Sequence, residues 1–182
     1  MVKKTIIEKS IDDRGFRRIV NEAINSAQRE VVVIAGELSS YLFPELKEAV
    51  KQAVSRGVHV KVYATYAVPP SIYDEVRDIG GEIYLGERQA KDHYLVIDGK
   101  NCIISKKEQL GKPTKIGERW AILCEDDPPS ARKVKRLFSE LAFLSFIEED
   151  KKQSILSKVA NTIFQLLIPG YGDIFVEGVE ND

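Results

Sequence analysis

Short apolar runs alternate with amphipathic helical stretches over the first half of this 182-residue chain, and that rhythm constrains its fold more than any other feature. Residues 30–35, Glu-Val-Val-Val-Ile-Ala, form an almost wholly apolar run, as expected of a central strand covered on both faces. Residues 58–63 alternate, with Val58, Val60 and Val62 set against His59 and Lys61. Residues 82–85 give a further short strand, and residues 4–11 alternate enough for an edge strand. Between the strands lie helical spacings. Phe16, Ile19, Val20, Ala23, Ile24 and Ala27 mark one face of a helix over about 15–28, with Asp12 or Asp13 as its cap. Pro44 opens a second helix that Gly57 closes, and residues 71–79 form a third, ended by Gly80-Gly81. A βαβαβαβ order predicts an α/β fold built on a mixed, mostly parallel sheet flanked by helices.

The rhythm then changes. Residues 93–98 and 101–105 read as two strands joined by a Gly99-Lys100 turn, and residues 119–125 as another, carrying Trp120 and Cys124. Asp127-Pro128-Pro129 starts a long helix to about residue 147. Residues 1–149 are expected to form this domain. Residues 150–182 add an amphipathic helix, with Ile155, Leu156, Val159, Ile163 and Phe164 at helical spacing, and a short tail. That helix is expected to pack on the domain or on a partner subunit.

Hydrophobic content of 43% and a charged fraction of 30% fit a globular domain, and the net charge of −1 demands neither nucleic acid nor an anionic membrane. Cys102 and Cys124 sit in apolar runs, far from other ligands, so buried thiols are expected and no metal site or cofactor. Without a signal-type apolar run or a membrane-length span, a cytoplasmic protein is expected. Abundant Lys and Glu with little Met and His give the composition a thermophile-like cast.

Chemistry concentrates in Lys91-Asp92-His93-Tyr94-Leu95-Val96-Ile97-Asp98-Gly99-Lys100. Lys91 and His93 are two apart, so on an extended segment they share a face and offer a phosphate or oxyanion site. This stretch resembles the signature of the phospholipase D superfamily, His-x-Lys-x-x-x-x-Asp followed by Gly-Ser and an Asn. Aligned on the turn after Ile97, Lys91 stands in the place of the family's nucleophilic His, His93 in that of its Lys, and Asp98 matches. Further on, Ser105, Lys106 and Glu108 replace the Gly-Ser and Asn. A register that makes His93 the family His puts Leu95 and Lys100 where Lys and Asp belong.

The resemblance covers residues 30–147 and implies a single half-unit of that fold, whose catalysis pairs two motif copies across a two-fold cleft without metal. One copy in this chain therefore implies a homodimer. His93, Lys91 and Asp98 are the candidate catalytic residues in exchanged order, and Lys91, His93, Ser105 and Lys106 the candidate ligand contacts. A two-place exchange moves a side chain about 6.6 Å along a strand, and a misplacement of about 1 Å already costs roughly a hundredfold in rate. The expectation is a non-catalytic domain that binds an anionic ligand, a nucleic acid or a protein partner, with no membrane role. The alternative is a divergent metal-independent phosphodiesterase, a nuclease or phospholipase-like enzyme. Secondary candidates are Glu37, Ser39, Ser40, Thr65, Tyr66, Glu87 and Arg88 at strand ends, and the basic patch Arg132, Lys133, Lys135 and Arg136.

Overall fold

The computed structural model describes residues 5–35, 44–65, 70–88, 90, 92–106, 108–109, 112–113 and 118–167, with backbone alone at 44, 45, 70, 108, 109, 112, 113 and 160–167. The elements run β1 (Thr5–Asp12), α1 (Asp13–Ser26), β2 (Glu30–Ala35), α2 (Pro44–Ser55), β3 (His59–Thr65), α3 (Pro70–Asp78), β4 (Glu82–Gly86), β5 (His93–Ile97), β6 (Asn101–Lys106), β7 (Glu108–Gln109), β8 (Lys112–Pro113), β9 (Glu118–Glu125) and α4 (Pro128–Leu167).

Seven strands form one sheet in the order β1-β9-β6-β5-β2-β3-β4, and β7 pairs with β8 in a separate ribbon. Only β2–β3 and β3–β4 pair in parallel; the other four pairings are antiparallel. Five strands nevertheless share one direction, because β5 and β9 alone run against the rest. The sheet is mixed and flanked by helices, as the sequence rhythm predicts, but parallel pairing is confined to β2, β3 and β4 because β5 and β9 run against their neighbours.

Each face has its own core. Phe16, Val20 and Ile24 of α1, Leu46, Ala49 and Ala53 of α2, and Val76 of α3 pack on Val31, Val33, Val60, Val62, Leu95, Ile97, Ile103 and Ala121. On the other face Ala131, Val134, Phe138 and Leu141 of α4 cover Val32, Ile34, Tyr63, Val96, Cys102 and Cys124. β2 sends side chains to both faces, which explains its unbroken apolar run.

The chain divides into two compact units, Met1–Ser145 and Phe146–Asp182. A helix ending near 147 and a second one starting at 150 are expected from the sequence; α4 instead continues as one helix through Leu167. The charged residues 148–152 include neither Gly nor Pro, and helix-forming Glu and Lys carry the backbone through. Among the described residues no helix is long and apolar enough to cross a membrane.

The β5–β6 connection fixes the middle of the sheet. Asp98 and Gly99 take positive φ of 53° and 69°, as in the primed turns that suit strand twist. Asp98 then reaches across to the start of β2. Its carboxylate accepts the backbone N–H of Gln28 (3.0 Å), Arg29 (2.8 Å) and Glu30 (3.1 Å), and the Arg29 guanidinium donates to its carbonyl at 3.0 Å. Burial by itself pushes the Asp98 carboxyl up, but the three N–H donors and the Arg29 charge together outweigh it and hold its pKa below the ordinary carboxylate value.

A carboxylate with a depressed folded pKa stabilises the fold fully above the unfolded value of about 3.9 and loses that contribution as pH falls through the folded value. Asp98→Asn is expected to cost about 2 kcal/mol in urea denaturation at neutral pH, since charge-assisted bonds to three donors are weakened. The difference between the two proteins should vanish once the pH drops below the folded pKa of Asp98. A variant as stable as the parent at neutral pH would show the carboxylate to be dispensable.

Candidate functional site

One edge of the sheet gathers the carboxyl ends of β1, β2, β3, β4 and β6 with the amino ends of β5 and β9, as the strand registers require. In open α/β sheets this is where ligands bind. The helices that follow β1, β2 and β3 begin at the same edge, so α1, α2 and α3 direct the positive ends of their dipoles toward it.

His93, Ser105 and Thr65 are buried polar residues at this edge, exposed by only 8%, 2% and 7%. His93 lies directly opposite Ser105 across the β5–β6 ladder, and Ser105 opposite Ala121 of β9, which pairs in turn with Lys9 of β1. Paired residues share a face, and by alternation with Leu95 and Ile103 that face is the one covered by α1. The imidazole and hydroxyl therefore sit side by side, with Lys9 in the same row about 14 Å across three strand spacings. An imidazole N–H, a hydroxyl and helix amino ends are all donors to an anion.

The other candidates separate. Lys106 follows Ser105 and so points to the opposite, α4-covered face, as does Thr65. Asp98 lies at the far end of β5, about 17 Å from His93 along the strand, in the backbone bridge to residues 28–30. His59 is exposed at the amino end of β3, away from this edge. Lys91, Glu37, Ser39, Ser40, Tyr66 and Lys107 fall outside the described residues, and of Glu108 only the backbone is described. Arg88 is exposed, and its carbonyl accepts the Tyr63 hydroxyl at 2.8 Å. The patch on α4 stands at the opposite edge and is partly neutralised: Lys135 pairs with Glu30 at 2.5 Å and Arg136 with Glu140 at 3.0 Å. Among the described residues no cluster of His, Cys, Asp and Glu could hold a metal ion.

Arg119 is a residue of this edge that motif reading passes over. It is the second residue of β9, on the His93 face by alternation with Ala121, and opposes Ile11. Its Nε donates to Asp13 Oδ1 at 2.6 Å, and its guanidinium lies 5.3 Å from the centre of the Phe16 ring. Asp12 caps α1 by accepting the Gly15 N–H at 2.7 Å. Arg119 thus pins the first turn of α1 to the sheet beside the His93 row. Alternation counted back from Ala121 is the signal that points to it.

No protein-family model matches the sequence, and no curated protein does. Solved structures do match. Nuc, a phospholipase D family member from Salmonella typhimurium, aligns at a TM-score of 0.60 and 18% identity over 78% of this chain and 96% of its own. NucT from Helicobacter pylori aligns at 0.58 and 15% identity, over 77% and 98%. TrmBL2, an archaeal chromatin protein with a novel mode of DNA binding, aligns at 0.57 and 14%, over 76% of this chain and 51% of its own. The chain has the phospholipase D fold.

Arg119→Ala removes a half-exposed ion pair and a cation–π contact, and the expected loss is about 1 kcal/mol. Denaturation curves should place part of that loss at low ionic strength only, because salt screens the pair with Asp13. A loss indifferent to salt would assign the effect to packing on Phe16 instead.

Proposed function

We propose that this protein is a non-catalytic domain of phospholipase D fold that binds phosphate groups of nucleic acid at the His93–Ser105 edge, as a homodimer. The observation that carries the reading is the side-by-side burial of one imidazole and one hydroxyl at the edge toward which three helix amino ends point. These groups donate hydrogen bonds to an anion. Phosphoryl transfer through a histidine asks for more, a nucleophile and a separate acid in register. Within one chain the second histidine, His59, stands at the other end of the sheet. The exchange of Lys91 and His93 also displaces the imidazole by about 6.6 Å from where the family's nucleophile would stand.

Two further points support the reading. Asp98, the one residue in its family place, serves the backbone of residues 28–30, so its retention speaks for the fold rather than for chemistry. TrmBL2, which shares the fold, is a DNA-binding chromatin protein. A second copy would bring a second His93, which makes the homodimer part of the proposal.

Labelled single- and double-stranded DNA, followed by anisotropy, should bind with an affinity that falls steeply with salt, and His93→Ala should weaken binding several-fold. Sedimentation should give a particle of about twice 20.5 kDa. A generic phosphodiester incubated with the protein and EDTA should remain intact. Turnover that disappears in His93→Ala would overturn the non-catalytic reading in favour of a metal-independent phosphodiesterase, and absence of any DNA binding would point to a protein partner.

A further inference from the structure

The chain has two cysteines, and the fold sets them side by side. β6 and β9 run antiparallel, and their register places Cys102 directly opposite Cys124. Directly opposed residues point to the same side of a sheet. Both thiols lie in the core that α4 covers, while Ile103 and Leu123, one residue along, belong to the α1 side. Both cysteines are in the thiol form and buried, exposed by 1% and 4%.

Their row runs Val32, Val96, Cys102, Cys124, Ile6 across β2, β5, β6, β9 and β1. The inner members Val32 and Val96 are buried, whereas Ile6 on the edge strand is 48% exposed. The thiols thus stand between the core and the sheet edge, with Cys124 next to the edge strand. Elements at the margin of a fold open locally for less than the cost of global unfolding. Opening of β1 uncovers Cys124 first and Cys102 second, so the row builds in an order of reactivity.

The pairing also sets the character of a bond between them. Directly opposed residues hold their Cβ atoms about 4.5–5.5 Å apart, and a disulfide holds them at about 3.8 Å. The strands must draw together by roughly 1 Å, and a disulfide formed under that strain is easier to reduce. The bond closes a loop over residues 102–124, which restrains the unfolded chain and favours the folded one. A link that adds stability and is easily broken suits a reversible modification better than a permanent staple.

We propose that Cys102 and Cys124 are a redox site at which hydrogen peroxide makes a cross-strand disulfide that glutathione reopens in the folded protein. The Cys124 thiolate attacks one peroxide oxygen, the O–O bond breaks, and the sulfur becomes a sulfenic acid while the other oxygen leaves as water. Cys102 then attacks that sulfur. The S–S bond forms, the S–O bond breaks and a second water departs. Two electrons pass from the sulfur pair to the peroxide, and both thiol protons end in water. In the return step two glutathione thiols become one glutathione disulfide, and the protein regains both thiols. The site is independent of the anion reading of the His93 edge.

The test treats the full chain, folded and reduced, with hydrogen peroxide, and reads thiol content and intact mass. Both thiols should disappear together, with a mass lower by two hydrogens and a peptide map that joins Cys102 to Cys124 within one chain. The oxidised protein should unfold at a higher urea concentration than the reduced one. Glutathione without denaturant should return both thiols and the lower midpoint. Cys102→Ala should gain oxygen at Cys124, and Cys124→Ala should lose its remaining thiol about tenfold more slowly. Thiols that survive peroxide in the folded parent, oxygen added to each of them, or a link between two chains would overturn the site. A disulfide that resists glutathione until the protein is denatured would overturn its reversibility, and equal rates in the two single variants would overturn the order of attack.

Discussion

Three backbone N–H groups converge on the Asp98 carboxylate, and much of the sheet depends on that convergence. It ties the β5–β6 turn to the start of β2, so the antiparallel half of the sheet meets the parallel half in a fixed register. Asp98 also donates its own N–H to the Glu30 carbonyl at 3.0 Å, closing the contact from both sides. Glu30 in turn receives Lys135 of α4, so strand, turn and covering helix meet at one residue. A neutral side chain at 98 would leave three part-buried donors sharing a weaker acceptor.

This arrangement separates two properties that a linear motif merges. β5 carries His93 at one end and Asp98 follows its other end, with three buried aliphatic residues, Leu95, Val96 and Ile97, between them. The end with Asp98 ties the turn to β2, and the end with His93 stands at the edge where α1, α2 and α3 begin. About 17 Å of strand separates the two ends. A chain can therefore retain the aspartate and the sheet while its polar residues at the opposite end are rearranged.

Much of the architecture is readable in the sequence because it rests on local chemistry. Pro44 and Gly57 bracket α2, and Gly57 and Gly80 both adopt the positive φ that their places after helices demand. The apolar run at 30–35 marks the two-faced central strand. The helix through residues 148–152 is not readable, because a charged stretch between apolar ones resembles a linker until helix propensity alone decides. The donors to Asp98 lie 68 to 70 residues away, beyond any spacing rule. Lys106 is different: its separation from His93 and Ser105 follows from the two-residue period of a strand, so alternation alone rules out Ser105 and Lys106 as co-facing ligands.

Arg119 holds a residue 106 positions earlier in the chain. Its pair with Asp13 places opposite charges together near where β9 and α1 begin. The first turn of α1 thus carries its acid already matched, in a chain whose net charge is only −1. One partly exposed ion pair between a strand and a helix thus ties the docking of α1 to the local balance of charge at its start, so added salt reaches the packing of that helix through a single contact.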